Sequence, residues 1–80
     1  MVRITIPHRS RGFVIVGLFG NEFAMEQAIK RLNLVANVQY QITSRRHLRI
    51  EGKSTDPEIL ERVKNIVRRS HGYVEEEKKL

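Results

Sequence analysis

Phe13-Val14-Ile15-Val16-Gly17-Leu18-Phe19-Gly20-Asn21 constrains this chain more than any other stretch. An unbroken apolar run passes into a pair of glycines three apart, and a helix-capping residue follows. Glycine permits φ > 0 and lets another backbone or a phosphate come close. A Gly-x-x-Gly segment that opens a helix is therefore either a tight connection or a ligand clamp. Asn21 is a good N-cap, and Glu22 in the first turn suits the helix dipole. Ala24, Met25, Ala28, Ile29 and Leu32 then recur at helical spacing, which predicts an amphipathic helix over Asn21–Leu32.

Eighty residues make one small domain with a modest core. Without cysteine there is no disulfide framework, thiolate metal site or cysteine nucleophile. No run approaches the roughly 20 apolar residues of a membrane span, and Met1–Pro7 lacks the layout of a signal peptide. The expectation is a soluble, intracellular, cytoplasmic protein. The formal charge is +6, and all of the excess lies early. Residues 1–53 hold nine Arg and Lys against three Glu, while residues 54–80 hold six against six. That asymmetry points to an anionic partner met by the first two thirds of the chain. A solvated basic surface explains the charge equally well.

Val2, Ile4 and Ile6 alternate with Arg3 and Thr5, the pattern of a half-buried strand that Pro7 ends. His8–Gly12 is a basic loop. Val38, Tyr40 and Ile42 alternate with Gln39, Gln41 and Thr43, and Leu48 and Ile50 alternate with Arg49 and Glu51. Ser44-Arg45-Arg46-His47 lies between them, giving an antiparallel hairpin with a basic tip. Asp56, Pro57 and Glu58 open a second helix in cap, first-turn and dipole terms. Ile59, Leu60, Val63, Ile66 and Val67 form its apolar stripe, and Gly72 suits a C′ stop after Arg68, Arg69 and His71. Residues 1–72 are then the domain, and Tyr73–Leu80 is a charged tail or a short edge strand.

These elements predict an α+β, two-layer sandwich: a small antiparallel sheet with two helices on one face. The other face of the sheet would show Arg3, Thr5, Gln39, Gln41, Thr43 and Arg49. It offers no aromatic pair on central strands, unlike an RNA-recognition-motif sheet.

Several segments together resemble the K-homology (KH) domain, a single-stranded RNA or DNA binding module. Arg3-Ile4-Thr5-Ile6-Pro7 looks like its first strand. Gly12 and the apolar residues up to Gly17-Leu18-Phe19-Gly20 look like its short first helix and Gly-x-x-Gly loop, and Phe23 falls where the family has an apolar residue. Val38–Ile42, Ser44–His47 and Leu48–Gly52 look like two strands joined by the variable loop, and Asp56–Arg69 looks like the final helix. The loop departs from the family in carrying Leu18 and Phe19 rather than basic or polar residues. The resemblance implies a backbone clamp at Gly17, Leu18, Phe19 and Gly20, made by main-chain N–H groups and the start of the next helix. Arg9 and Arg11 would flank it, with Arg45, Arg46, His47 and Arg49 adding charge. Single-stranded RNA is the implied partner.

A second reading stays open. Phe13-Val14-Ile15-Val16 is β-rich by propensity. As a central strand buried on both faces it gives a ferredoxin-like order, with Tyr73–Glu77 as the last strand and Val2–Ile6 as an additional one. Gly17 and Gly20 then allow close helix packing and a short strand-to-helix turn. Such a module regulates or assembles by pairing with itself or with another protein, and its fold does not fix its function. His8, His47 and His71 are too scattered for a metal site, and Ser10, Ser44, Ser54 and Ser70 lack a nucleophile motif. No cofactor, metal or catalytic constellation is expected.

Overall fold

Strand propensity decides the glycine-flanked segment. In the computed structural model, which describes residues 12–54 and 56–80, Phe13–Phe19 is a β-strand (β1). Three β-branched residues in a row lose little side-chain freedom on a pleated surface and pack well there. Phe13, Ile15, Gly17 and Phe19 are buried on one face. Val14, Val16 and Leu18 are half-buried on the other, so the strand is buried on one face rather than on both. The short helix that the KH resemblance implies over these residues is not formed. Val2–Ile6, Pro7, Arg9 and Arg11 lie outside the described residues.

The rest of the chain builds around β1. Helix α1 (Glu22–Leu32) starts where expected, and the Asn21 side chain accepts a 2.8 Å hydrogen bond from the Ala24 amide. Strands β2 (Val38–Ile42) and β3 (His47–Gly52) form the antiparallel hairpin. Helix α2 (Pro57–Arg69) has Asp56 as N-cap, whose carboxylate accepts from the Glu58 amide at 2.9 Å. Strand β4 (Gly72–Lys79) resolves the tail: it pairs antiparallel with β1 along the full length of β1. The sheet runs β2-β3-β1-β4 with every neighbouring pair antiparallel. The strand–helix–strand–strand–helix–strand order is the ferredoxin-like one.

Both helices lie on one face. Ala24, Met25, Ala28 and Leu32 of α1 and Leu60, Val63 and Val67 of α2 share one core with Phe13, Ile15, Phe19, Leu48 and Ile50. Each fully buried aliphatic or aromatic side chain contributes about 1.5–3 kcal/mol of transfer free energy. The glycines of the sheet make room for that core. A Cβ on Gly52 would overlap the Phe13 ring, and one on Gly72 would crowd the Phe19 ring and the Val67 carbonyl. Gly72 is therefore not the left-handed C′ residue expected from sequence. That position is His71, at φ 60°, because glycine is needed one residue later, beneath Phe19.

The core ends in charge at the β4 side. Glu77 lies opposite Ile15, on the helix face, and meets the Lys64 ammonium of α2 at 3.2 Å. Glu61 stands 3.1 Å from the same ammonium. The hydrogen bonds that the ammonium donates to Glu61 and Glu77 raise the Lys64 pKa above its ordinary value, so the side chain is charged at neutral pH. Among the described residues, no helix is long and apolar enough to cross a membrane.

Candidate nucleic-acid interface

The expected clamp does not form at Gly17–Gly20. Gly17 sits in β1 between Leu48 and Val74, and Leu18 between His47 and Tyr73. The Phe19 amide donates to the Arg46 carbonyl at 2.8 Å, and the Phe19 ring is buried. Main-chain groups held this way inside a central strand do not wrap a phosphate. Gly17 has a packing role instead: a Cβ there would stand 3.2 Å from the Phe19 ring and 3.3 Å from Val67. Its lack of a side chain lets α2 lie close to the sheet, as the ferredoxin-like reading expects. Gly20 forms the short turn into α1, and a Cβ there would meet nothing within 4 Å.

The contact between Phe19 and Arg46 organises the basic residues. It seats the hairpin tip against the end of β1. Gly72 lies opposite the same Phe19, so His71 and the last turn of α2, with Arg68 and Arg69, reach this end of the sheet too. Arg45, Arg46, Arg68, Arg69 and His71, from two segments far apart in sequence, thus lie at the same end of the sheet. Among the described residues, none of the four arginines is in an ion pair. Glu22, in the first turn of α1, and Glu75, against His47, are acidic residues at the same end of the sheet. The tip itself is shaped locally. The His47 amide donates to Ser44 Oγ at 3.2 Å, and the Thr43 amide donates to the His47 carbonyl at 3.1 Å.

His47 and Arg49 belong to the open face of the sheet rather than to the tip, and each faces a carboxylate. His47 Nε2 stands 3.3 Å from the Glu75 carboxylate, and the Arg49 guanidinium stands 2.6 Å from that of Glu51. Arg49 therefore adds little net positive charge. The register sets three rows across this face: His47–Leu18–Tyr73, then Gln41–Arg49–Val16–Glu76, then Gln39–Glu51–Val14–Lys78. The central strands β1 and β3 carry no aromatic side chain there, as expected. The edge strand does, because Tyr73 is 64 % exposed next to Leu18.

Sequence reasoning missed Tyr73, Arg68, Arg69 and His71 as site residues. The alternation of β4 is broken by a bulge between its pairings to Val16 and Gly17, which hides the strand signal. Arg68, Arg69 and His71 read equally well as complements to the α2 carbonyl end. Their meeting with the hairpin tip follows only from the fold.

A groove of about 830 Å³ lies between the end of α1 and the length of α2. Arg31, Arg62 and Arg69 line it, but so do Glu58 and Glu61, and its charge is nearly balanced. Arg31 is also tied down, donating to the buried Ser70 hydroxyl at 2.8 Å. Among the described residues, no three His, Asp or Glu side chains gather as metal ligands. Comparison with protein-family models, with curated proteins and with solved structures finds no match for this chain.

Proposed function

We propose that this domain binds single-stranded nucleic acid, RNA by preference, without catalysing a reaction. The observation that carries the reading is that Arg45 and Arg46 share one end of the sheet with Arg68 and Arg69, where Tyr73 stands exposed on β4. Arginine forks fit phosphate oxygens in pairs. An exposed tyrosine beside a basic rim is the chemistry of a base-stacking platform, worth about 1–3 kcal/mol per stacked base. Electrostatic contacts of this kind release counterions, so affinity falls with salt by roughly 0.7 in the log–log slope per phosphate neutralised on a single strand.

The test is a fluorescence-anisotropy titration with a degenerate single-stranded RNA at low and physiological salt, run against duplex DNA. The expected result is saturable binding that prefers the single strand. Arg45→Ala with Arg46→Ala, and separately Arg68→Ala with Arg69→Ala, should each weaken it and flatten the salt slope. Tyr73→Ala should weaken it without changing the slope. Binding that ignores both arginine pairs would overturn the proposal.

A second reading, a regulatory or assembly module, draws on a different observation. Val14, Val16 and Leu18 leave a half-exposed apolar stripe down the middle of the open face, where a protein partner could dock. Absence of RNA binding at low salt favours this reading.

A further inference from the structure

The two edges of the sheet differ in how they meet a second copy of the chain. A free strand edge presents unpaired N–H and C=O groups, and proteins usually guard it with charge or a bulge. The β4 edge has both: Glu75, Glu76, Glu77, Lys78 and Lys79 in succession, and a bulge beside Val16 and Gly17. The β2 edge has neither. Val38-Gln39-Tyr40-Gln41-Ile42 contains no charge, no proline and no bulge, and among the described residues no strand lies beyond it. On the helix side, Tyr40 is 41 % exposed and Ile42 is 55 % exposed.

We infer that this edge pairs antiparallel with the β2 edge of a second copy, about a twofold axis at Tyr40. The strand is self-complementary about that residue, reading apolar–Gln–Tyr–Gln–apolar in both directions. An isologous interface requires such self-complementarity. With the axis at Tyr40, each Tyr40 faces its counterpart, and Gln39 faces Gln41 of the second copy across the open side. Val38 faces Ile42 of the second copy on the helix side, where both gain cover. The amides bond one another without any like-charge contact. The same operation on β4, centred on Glu76, sets Glu75 against Glu77 of the second copy and Glu76 against its counterpart, and like charges directly opposite are destabilising. Pairing at β2 makes one continuous eight-stranded sheet with all four helices on one side. It places the two basic hairpin tips at opposite ends of the seam. This inference does not depend on nucleic-acid binding.

A five-residue strand pair is at the small end of specific interfaces, so the assembly is read from sedimentation of the full chain over a wide concentration range. The expected mass rises from the 9.4 kDa of one chain towards twice that value. The register is tested at the exposed open-face positions, which the core does not use. Gln39→Lys with Gln41→Lys, and Gln39→Glu with Gln41→Glu, each set two like-charge pairs across the seam and should weaken the dimer by roughly three- to thirtyfold. Gln39→Lys with Gln41→Glu sets opposite charges face to face and should keep the dimer at least as tight as the unmodified chain. Circular dichroism confirms that all three remain folded. A monomer at every concentration overturns the inference, as does a dimer that all three variants weaken alike. A monomer in which the outward-facing β2 amides, those not bonded to β3, resist hydrogen exchange also overturns it, because the edge is then covered from within its own chain.

Discussion

The half built from β1, α1 and β2 and the half built from β3, α2 and β4 repeat one strand–helix–strand plan, yet they finish it differently. The second half is closed. Its outer strand, β4, lies against β1, Lys64 ties α2 to Glu77, and Phe19 fills the space left bare by Gly17 and Gly72. The first half stops short. Its outer strand is five residues long, and Tyr40 and Ile42 stand uncovered on the helix side. The same local rules, a capped helix and an alternating strand, therefore produce one sealed margin and one open one. What separates them is the side chains at the margin and not the topology.

That contrast can be broken most forcefully at Phe19. Phe19→Ala should destabilise the fold by about 3–5 kcal/mol, whereas Ile42→Ala, at the open margin, should cost less than about 0.5 kcal/mol in the monomer. Urea denaturation of dilute protein measures both, and similar losses would mean that the β2 margin is sealed as well. The helix starts provide an internal control. Asn21→Ala and Asp56→Ala should each cost about 1 kcal/mol, because each cap side chain accepts one bond from a first-turn amide, Ala24 at Asn21 and Glu58 at Asp56. A much larger loss at Asp56 would show that the halves differ at their helix ends and not only at their margins.

The remaining effect is confined to alkaline pH. The folded pKa of Lys64 is raised by Glu61 and Glu77, so its stabilisation is complete below the unfolded value of about 10.4. It is lost as pH rises through the higher folded value. Lys64→Met should flatten the decline of stability above pH 10 that belongs to the closed margin, by no more than about 1 kcal/mol. An unchanged alkaline profile in this variant would assign the decline to other groups.

The parts of this molecule that were legible in the sequence are those whose signals are local. Asn21 and Asp56 marked helix starts because a cap acts within one turn. Val38–Ile42 and Leu48–Ile50 marked strands because alternation is written residue by residue. Gly17 and Gly20 misled because their spacing suits a phosphate loop as well as a helix packed on a strand, and Val67, which decides between these, is fifty positions away. His71 rather than Gly72 takes the left-handed turn for the same kind of reason, since the demand on Gly72 comes from Phe19. Of the candidate site, Arg45 and Arg46 were visible as a hairpin tip. Their company with Arg68, Arg69 and Tyr73 was not, because it depends on which strand β4 joins.

The pairing of β4 with β1 also sets the order in which this chain can assemble. Phe13 meets Lys79 and Phe19 meets Gly72, so the central strand is completed by the last strand in the described chain. Contacts between residues so distant along a chain form slowly, because the loop-closure entropy is lost before the contact is gained. Until they form, Phe13–Phe19 is an apolar strand with one unpaired side. An apolar strand with an unpaired edge is an aggregation hazard, and the charges of Glu75–Lys79 arrive together with the strand that covers it.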